Sequence, residues 1–193
     1  MLIVARHGRT ESNARGLLLG RADPDLDTTG QQQAQLLATS LDHVDRIVTS
    51  PLARTRQTAQ AMADVFGISV DVDDRWIELD YGEWDEQPVS GISATTWAQW
   101  RADPHFRPPG GETLAELGER VRQAATDLME DAAERTVVVV SHVSPIKAAV
   151  AWALGVGDEV TWRLFVEQAS QTMVATDRGQ PRLVRFNDVS HLL

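Results

Sequence analysis

Six segments of the chain have the apolar or alternating pattern of β-strands. The run from Thr136 to Ser141 is almost entirely β-branched, which is typical of a central strand covered on both faces. The other five are a short apolar strand that begins at Leu2 and the segments 46–49, 68–72, 172–176 and 182–186. The last two flank a turn at Gly179, and the residues after them are expected to be unstructured.

Helices are predicted between these strands, because apolar residues recur at three-and-four spacing and capping residues mark the ends. Ser50-Pro51 and Ser144-Pro145 each place a capping hydroxyl before a proline in the first helical position. The expected helices are Thr29 to about Asp42, Ser50 to Gly67, a short one near 95–101, a long one from the capping box Thr113/Glu116 to about Ala132, and Ser144 to Gly155.

Length and composition indicate one domain spanning residues 1–193, of which 42% are hydrophobic. The long irregular region at about 73–110 is expected to form a lid or insert. A net charge of -10 argues against nucleic-acid and anionic-membrane partners. Because the chain has no cysteine, no visible secretory signal and no apolar run of membrane-spanning length, a cytoplasmic location is expected.

The first strand ends in Arg6, His7 and Gly8, a combination suited to phosphate chemistry. Ligands of α/β sheets bind beyond the carboxyl ends of the strands, and a glycine there lets the backbone approach closely. An arginine fits two phosphate oxygens, while a neutral imidazole can attack phosphorus and carry the phosphoryl group. Arg6 would then bind the phosphate group that His7 attacks. A chance Arg-His pair at an exposed strand end has the same local pattern.

A second histidine repeats this placement. His142 follows the β-branched strand directly and precedes a predicted helix, and Arg54 falls in the first turn of the helix after Ser50-Pro51. Helix N-termini attract anions through their free amides and dipole. Two histidines and two arginines at strand ends or helix starts make coincidence a poor explanation.

The irregular region supplies further candidates. Glu78 lies among aromatic residues and can protonate a leaving oxygen, although most loop glutamates are merely solvated. Glu112 precedes a helix cap and can face the same pocket. Trp97 and Trp100 lie at helical spacing and are expected to pack on the core or the lid, with a substrate wall as the alternative.

As a set, these motifs resemble the histidine phosphatase superfamily, in its phosphoglycerate-mutase-like branch (branch 1). The matching motifs are Arg6-His7-Gly8, Ser50-Pro51-Leu52 with Arg54-Thr55, Glu78 four residues before Gly82, Gly110-Gly111-Glu112, and Ser141-His142. The resemblance implies a three-layer α/β/α sandwich on a mostly parallel six-stranded sheet. It also implies a reaction through a phosphohistidine that needs neither a metal ion nor a cofactor.

The resemblance further implies a role for each matching residue. It makes His7 the nucleophile and Glu78 the proton donor and acceptor. The implied phosphate clamp consists of Arg6, Arg54 and His142. Further contacts to phosphate or substrate are implied for Asn13, Thr10 and Glu112.

Three features depart from the pattern of the superfamily. Val143 stands where many members have glycine, Asp27 stands where threonine is common, and Asp85-Glu86 replaces the usual Glu-Gly. These positions border the pocket or its entrance. They therefore bear on the identity of the substrate rather than on the phosphohistidine step.

The expected function is hydrolysis of a small phosphorylated metabolite. A phosphoglycerate-type phosphomutase is the first alternative, but the segment Trp84 to Pro109 is short and contributes only Arg101 and Arg107 as cations for a bisphosphate. Two further alternatives are a phosphoprotein phosphatase and a non-catalytic phosphate-binding or regulatory module. The sequence does not indicate an oligomeric state.

Overall fold

The computed structural model describes residues 1–193 and contains one six-stranded sheet with helices on both faces. The strands are β1 (Leu2–Arg6), β2 (Arg46–Thr49), β3 (Val70–Val72), β4 (Val137–Ser141), β5 (Gln171–Ala175) and β6 (Arg182–Asp188). Their order in the sheet is β3-β2-β4-β1-β5-β6. Strands β1 to β4 pair in parallel, whereas β5 runs antiparallel to both of its neighbours. The expected mostly parallel sheet of an α/β/α sandwich is confirmed.

Seven α-helices connect and cover the strands. They are α1 (Glu11–Ala14), α2 (Thr28–Thr39), α3 (Ala53–Phe66), α4 (Ala94–Ala102), α5 (Leu114–Asp127), α6 (Met129–Glu134) and α7 (Val143–Leu154). Short 3₁₀ helices occur at Asp74–Trp76, Gly82–Trp84, Val89–Gly91, Asp158–Arg163 and Ser190–Leu192. None of the helices combines the length and the apolar character that a membrane span requires.

The two faces of the central strands belong to two separate cores, because successive side chains of a strand point in opposite directions. Leu2 and Val4 of β1 pack in the core beneath α5 and α7, whereas Ile3 and Ala5 pack in the core beneath α2 and α3. The four valines of β4 divide in the same way and are fully buried. This burial on both faces explains the uninterrupted β-branched run.

Both Ser-Pro helix starts differ from the prediction. Helix α3 begins at Ala53 and lacks a side-chain cap, since the hydroxyl of Ser50 lies against His142 instead. Helix α7 begins at Val143, one residue before Ser144, and His142 is its N-cap. Neither Ser50 nor His142 caps a helix with its side chain, and the two side chains instead lie 2.7 Å from each other.

Other element ends agree with the sequence only in part. The capping box of Thr113 and the left-handed stops at Gly67 and Gly155 are confirmed. The N-cap of helix α2 is Asp27, two residues before the expected cap Thr29, because the carboxylate of Asp27 accepts the Gly30 amide at 2.8 Å. The long predicted helix after Thr113 is divided into α5 and α6, and the C-terminal residues form a 3₁₀ turn rather than an unstructured tail.

Candidate active site

The two candidate histidines lie side by side at the carboxyl ends of neighbouring strands. Arg6, the last residue of β1, is in register with Ser141, the last residue of β4. The next residue on each strand is a histidine, and the rings of His7 and His142 are 5.2 Å apart, centroid to centroid. Both side chains are buried. The sheet therefore brings together two residues that are far apart in the chain.

His7 is held in one tautomer. Its Nδ1 lies 2.7 Å from the carbonyl oxygen of Gly8, and since a carbonyl only accepts, Nδ1 carries the hydrogen. The lone pair is then on Nε2, which makes no hydrogen bond within the protein. Burial, together with the charges of Arg54 and Arg6, holds the pKa of His7 well below its ordinary value. The ring is therefore neutral at neutral pH and can act as a nucleophile through Nε2.

His142 is oriented by Ser50, which follows the neighbouring strand β2. The Oγ atom of Ser50 lies 2.7 Å from Nε2 of His142. The Leu52 amide donates to the same oxygen at 3.5 Å, and the hydroxyl can in turn donate its hydrogen to Nε2. In that arrangement Nδ1 of His142 carries a hydrogen and is a donor. Burial is the main cause that keeps the pKa of His142 well below its ordinary value, followed by the charge of Arg54.

Arg54 reaches the site from the first turn of α3 and is fully buried. Its two terminal nitrogens donate to the carbonyl oxygens of Ala22 and Gly20, at 2.7 and 2.9 Å. The carboxylate of Asp85 in turn accepts the amides of Gly20, Arg21 and Ala22 at 2.7 to 2.8 Å. Asp85 thus holds the loop that fixes the direction of Arg54.

Arg6 is the second buried arginine of the site. One of its terminal nitrogens donates to the carbonyl oxygen of Val166 at 2.7 Å. Burial lowers the pKa of Arg6 to about 10, partly offset by the charge of Glu78. Arg6 is therefore still positively charged at neutral pH.

Three buried nitrogen atoms on the side chains around His7 have no hydrogen-bond partner in the protein. They are Nε of Arg6, Nε of Arg54 and Nδ1 of His142. A buried donor without a partner costs about 1–3 kcal/mol, and buried polar groups in proteins are nearly always paired. Three such donors on two arginines and a histidine are suited to an anion that has several acceptor oxygens. A phosphoryl group is an anion of this kind.

Glu78 lies at the N-terminus of α7, beside this cluster, and is buried. Its Oε1 accepts the Leu79 amide at 2.7 Å and the Ser144 amide at 3.2 Å. Amides at a helix N-terminus stabilise a carboxylate, and the carboxyl group can give up or take a proton within the pocket.

Glu112 forms an ion pair with Arg120, which in turn contacts the backbone of Glu78. Its carboxylate accepts two hydrogen bonds from Arg120, at 2.7 and 2.9 Å. Arg120 also donates to the carbonyl oxygens of Arg75 at 2.6 Å and of Glu78 at 3.3 Å. Glu112 and Arg120 together therefore hold the backbone that carries Glu78. The sequence did not identify Arg120 as a residue of the site, because its only visible feature is its position on an amphipathic helix.

Thr10 and Asn13 form a capping box at the start of α1. Each backbone amide donates to the side-chain oxygen of the other residue at 3.2 Å. The box uses Oδ1 of Asn13, and the side-chain amide nitrogen of Asn13 makes no hydrogen bond within the protein. Thr10 is fully buried, so it supports the loop after β1.

Gly8 is required by the packing of the end of β1. A Cβ atom at this position would lie 2.3 Å from the carbonyl oxygen of Gly30 at the start of α2. The amide of Gly8 donates to Oγ1 of Thr58 at 3.1 Å. The residue therefore allows the end of β1 to pack closely on α2.

An apolar cavity adjoins Glu78 and the start of α7. Trp97 and Trp100 both line it, and Trp100 is buried in the core, as expected, with Trp97 packed against it. Val143, one of the departures from the superfamily pattern, also lines the cavity. Asp27, another departure, instead pairs with Arg9 at 2.7 Å and caps α2.

The match to known proteins agrees with this geometry. The family model of the histidine phosphatase superfamily (branch 1) matches residues 2–189. The chain therefore belongs to this superfamily, as its motifs predicted.

Individual relatives cover nearly the whole chain. It is 34% identical to phosphoserine phosphatase 1 of Hydrogenobacter thermophilus, over 99% of this chain and 93% of that protein. It is 32% identical to a Yersinia enterocolitica protein assigned as a phosphoglycerate mutase, over 90% and 83% of the two chains. A solved structure of phosphoserine phosphatase from Entamoeba histolytica with bound phosphoserine matches with a TM-score of 0.91 at 27% identity, over 100% and 98%. The similarity thus extends to phosphatases of small metabolites and to a mutase.

Proposed function

We propose that the protein hydrolyses a small phosphomonoester through a phosphohistidine formed on Nε2 of His7. The observation that carries the proposal is the set of three unpaired donors, on Arg6, Arg54 and His142, around an imidazole whose attacking nitrogen is free. A binding site for an oxyanion and a neutral nucleophile are thereby combined in one place.

The reaction proceeds in two transfers, with Glu78 exchanging one proton. Nε2 of His7 attacks phosphorus, the bond from phosphorus to the ester oxygen breaks, and the carboxyl group of Glu78 protonates the leaving alkoxide. The Glu78 carboxylate then takes a proton from water as the water oxygen attacks the phosphohistidine. Inorganic phosphate leaves, and His7 and protonated Glu78 are restored.

The side chains of the site supply the positive charge that this transfer needs. Phosphoryl transfer depends mainly on alignment and on stabilisation of charge on the equatorial oxygens. Arg6 and Arg54, held by carbonyl contacts at 2.7 to 2.9 Å, are already oriented before the substrate arrives. Two buried guanidinium groups also disfavour a divalent cation at the same place, so the proposed reaction is independent of metal ions.

A phosphatase is favoured over a phosphomutase by the positions of two arginines. A mutase must hold a bisphosphate, which calls for further free cations near the pocket. Arg101 instead stacks on Trp97 at 5.7 Å, and Arg107 pairs with Glu116 at 2.5 Å. Neither arginine lines the cavity beside Glu78, which leaves Lys147 as its only cation.

A non-catalytic binding module is the alternative from another class. Such a module needs the arginines but neither a free nucleophile nor a buried carboxyl group beside it.

The proposed partner is a small phosphorylated metabolite, as for the relatives whose names include phosphoserine phosphatase. The net charge of -10 opposes nucleic acid as a partner, and the absence of cysteine suits the cytoplasm.

The test is release of phosphate from p-nitrophenyl phosphate and from a panel of phosphorylated metabolites, with a metal chelator present. We expect turnover by the intact protein, none by His7→Ala, and unchanged turnover by the surface control His105→Ala. Glu78→Gln should lose more activity on alkyl phosphates than on p-nitrophenyl phosphate, because nitrophenolate leaves without a proton. Absence of turnover by the intact protein, or full activity of His7→Ala, would refute the proposal.

A further inference from the structure

A cavity of about 80 Å³ lies next to the proposed phosphate site. Eight of its eleven lining residues are hydrophobic, and three of these are tryptophans, Trp97, Trp100 and Trp162. Its volume is well below the ~150 Å³ of an apolar cavity that holds benzene. The space therefore accommodates a short carbon chain.

The cavity borders two residues that hold the carboxylate of Glu78. Leu79 and Ser144 line it, and the backbone amides of both residues donate to the carboxylate of Glu78. If Glu78 protonates the leaving oxygen, the carbon atoms attached to that oxygen must extend along these walls. This position makes the cavity the candidate site for the alcohol portion of the substrate.

One cation faces this space. Lys147, the only lysine of the chain, lines the cavity from α7, one turn after Val143. It makes no ion pair and no hydrogen bond within the protein. Burial lowers its pKa, and the charge of Glu78 acts in the opposite direction. A partly buried ammonium group without a partner is costly unless an anion pairs with it.

No acidic side chain lines the cavity. The ammonium group of an amino-acid substrate would therefore lack a carboxylate partner there and would be repelled by Lys147. A carboxylate on the substrate would pair with Lys147 in surroundings of low polarity, where a charge pair is stronger than in water.

We propose that Lys147 forms a second anion subsite, which selects phosphomonoesters of short hydroxy acids over the corresponding amino acids and neutral alcohols. This inference rests on the proposed function, because it places the ester oxygen beside Glu78. It names the class of substrate that the same site prefers: a phosphate ester with a carboxylate a few bonds away and no ammonium group.

The experiment compares three substrates that differ at one group. They are 3-phosphoglycerate, glycerol 3-phosphate, which has a hydroxymethyl group in place of the carboxylate, and O-phosphoserine, which has an ammonium group in place of the hydroxyl. We expect the intact protein to show the highest kcat/KM on 3-phosphoglycerate. Lys147→Met should reduce that value at least tenfold and change the value for glycerol 3-phosphate less than twofold. Arg178→Met, which removes an exposed cation in the turn after β5, away from the cavity lining, is the matched control and should change neither.

A second measurement separates failure of this inference from failure of the proposed function. Calorimetry of 3-phosphoglycerate binding to His7→Ala, with and without Lys147→Met, needs no turnover and should show at least tenfold weaker binding in the double variant. Equal losses on all three substrates, or equal binding by the two proteins, would overturn the role of Lys147 and leave the phosphatase intact. No turnover of p-nitrophenyl phosphate by the intact protein would instead count against the proposed function.

Discussion

Nε2 of His142 lies 2.7 Å from Oγ of Ser50, and the two residues follow neighbouring strands of the sheet. When the hydroxyl donates to Nε2, Nδ1 of His142 carries the hydrogen and is a donor for the proposed phosphoryl group. The same serine was expected to cap a helix. Its position shows that the ends of three adjacent strands, β2, β4 and β1, each contribute a side chain to one polar cluster.

Ser50→Ala should therefore impair the reaction more than it impairs folding. Without the hydroxyl, Nε2 loses its partner and the ring can adopt the tautomer that presents a lone pair to phosphate. Loss of a buried hydrogen bond corresponds to about 1–3 kcal/mol, so we expect kcat/KM to fall by about 5- to 150-fold. Thr49→Val is the matched control, since the Thr49 hydroxyl is also buried but has no partner. Equal activities of the two variants would contradict the assignment.

Arg120→Met should act on the proton transfer through the position of Glu78. Arg120 holds the carbonyl oxygen of Glu78 and the carboxylate of Glu112, so its loss frees the backbone that carries the proton donor. We expect kcat to fall about tenfold or more on an alkyl phosphate and much less on p-nitrophenyl phosphate. Arg122→Met, which removes another ion-paired arginine of α5, should show no such difference between substrates. A uniform loss on both substrates would indicate a purely structural role.

The stability of the protein should fall as the medium becomes acidic. His7 and His142 both have a pKa well below the ordinary value in the folded state, whereas in the unfolded chain they bind protons below about pH 6.5. Between these limits the unfolded state binds more protons, so the free energy of unfolding decreases as the pH decreases, by up to about 1.4 kcal/mol per pH unit for each histidine.

Urea denaturation between pH 7.5 and pH 5 measures this effect. His142→Gln should lessen the dependence on pH, and His105→Gln, on the surface, should leave it unchanged. A stability that stays constant or increases toward pH 5 would show that the two histidines are not held neutral.

Glu86→Gly should stabilise the fold. Glu86 has a φ of 60°, in the left-handed region that is strained for a residue with a Cβ atom, and the superfamily pattern has glycine here. Its amide donates to the carbonyl oxygen of Leu18 at 2.8 Å, a contact that glycine retains. We expect about 1 kcal/mol of added stability in denaturant titrations. Glu83→Gly, at a nearby residue that is not in this conformation, should lower the stability of the fold. A change of stability in the same direction for both variants would contradict the explanation.

Much of the fold could be predicted from the sequence because it depends on local periodicity. The β-branched run of β4 requires burial on both faces, and the capping box at Thr113 and the glycines after α3 and α7 are local signals that need no partner. Helix starts were less predictable. The hydroxyl of Ser50 could either cap the following helix or form a hydrogen bond with another side chain. In the structure it lies against the ring of His142, which the sequence alone does not place nearby.

The sequence by itself determined the chemical groups: a histidine after each of two strands, an arginine at a helix start and a carboxyl group in an irregular segment. Only the tertiary structure decided their mutual arrangement, because the order of strands in the sheet sets β1 beside β4 and thereby His7 beside His142. It also decided the supporting contacts of Arg120 and Asp85 and placed Lys147 in an apolar cavity. These depend on packing between segments distant in the chain, where neither spacing nor periodicity carries a signal.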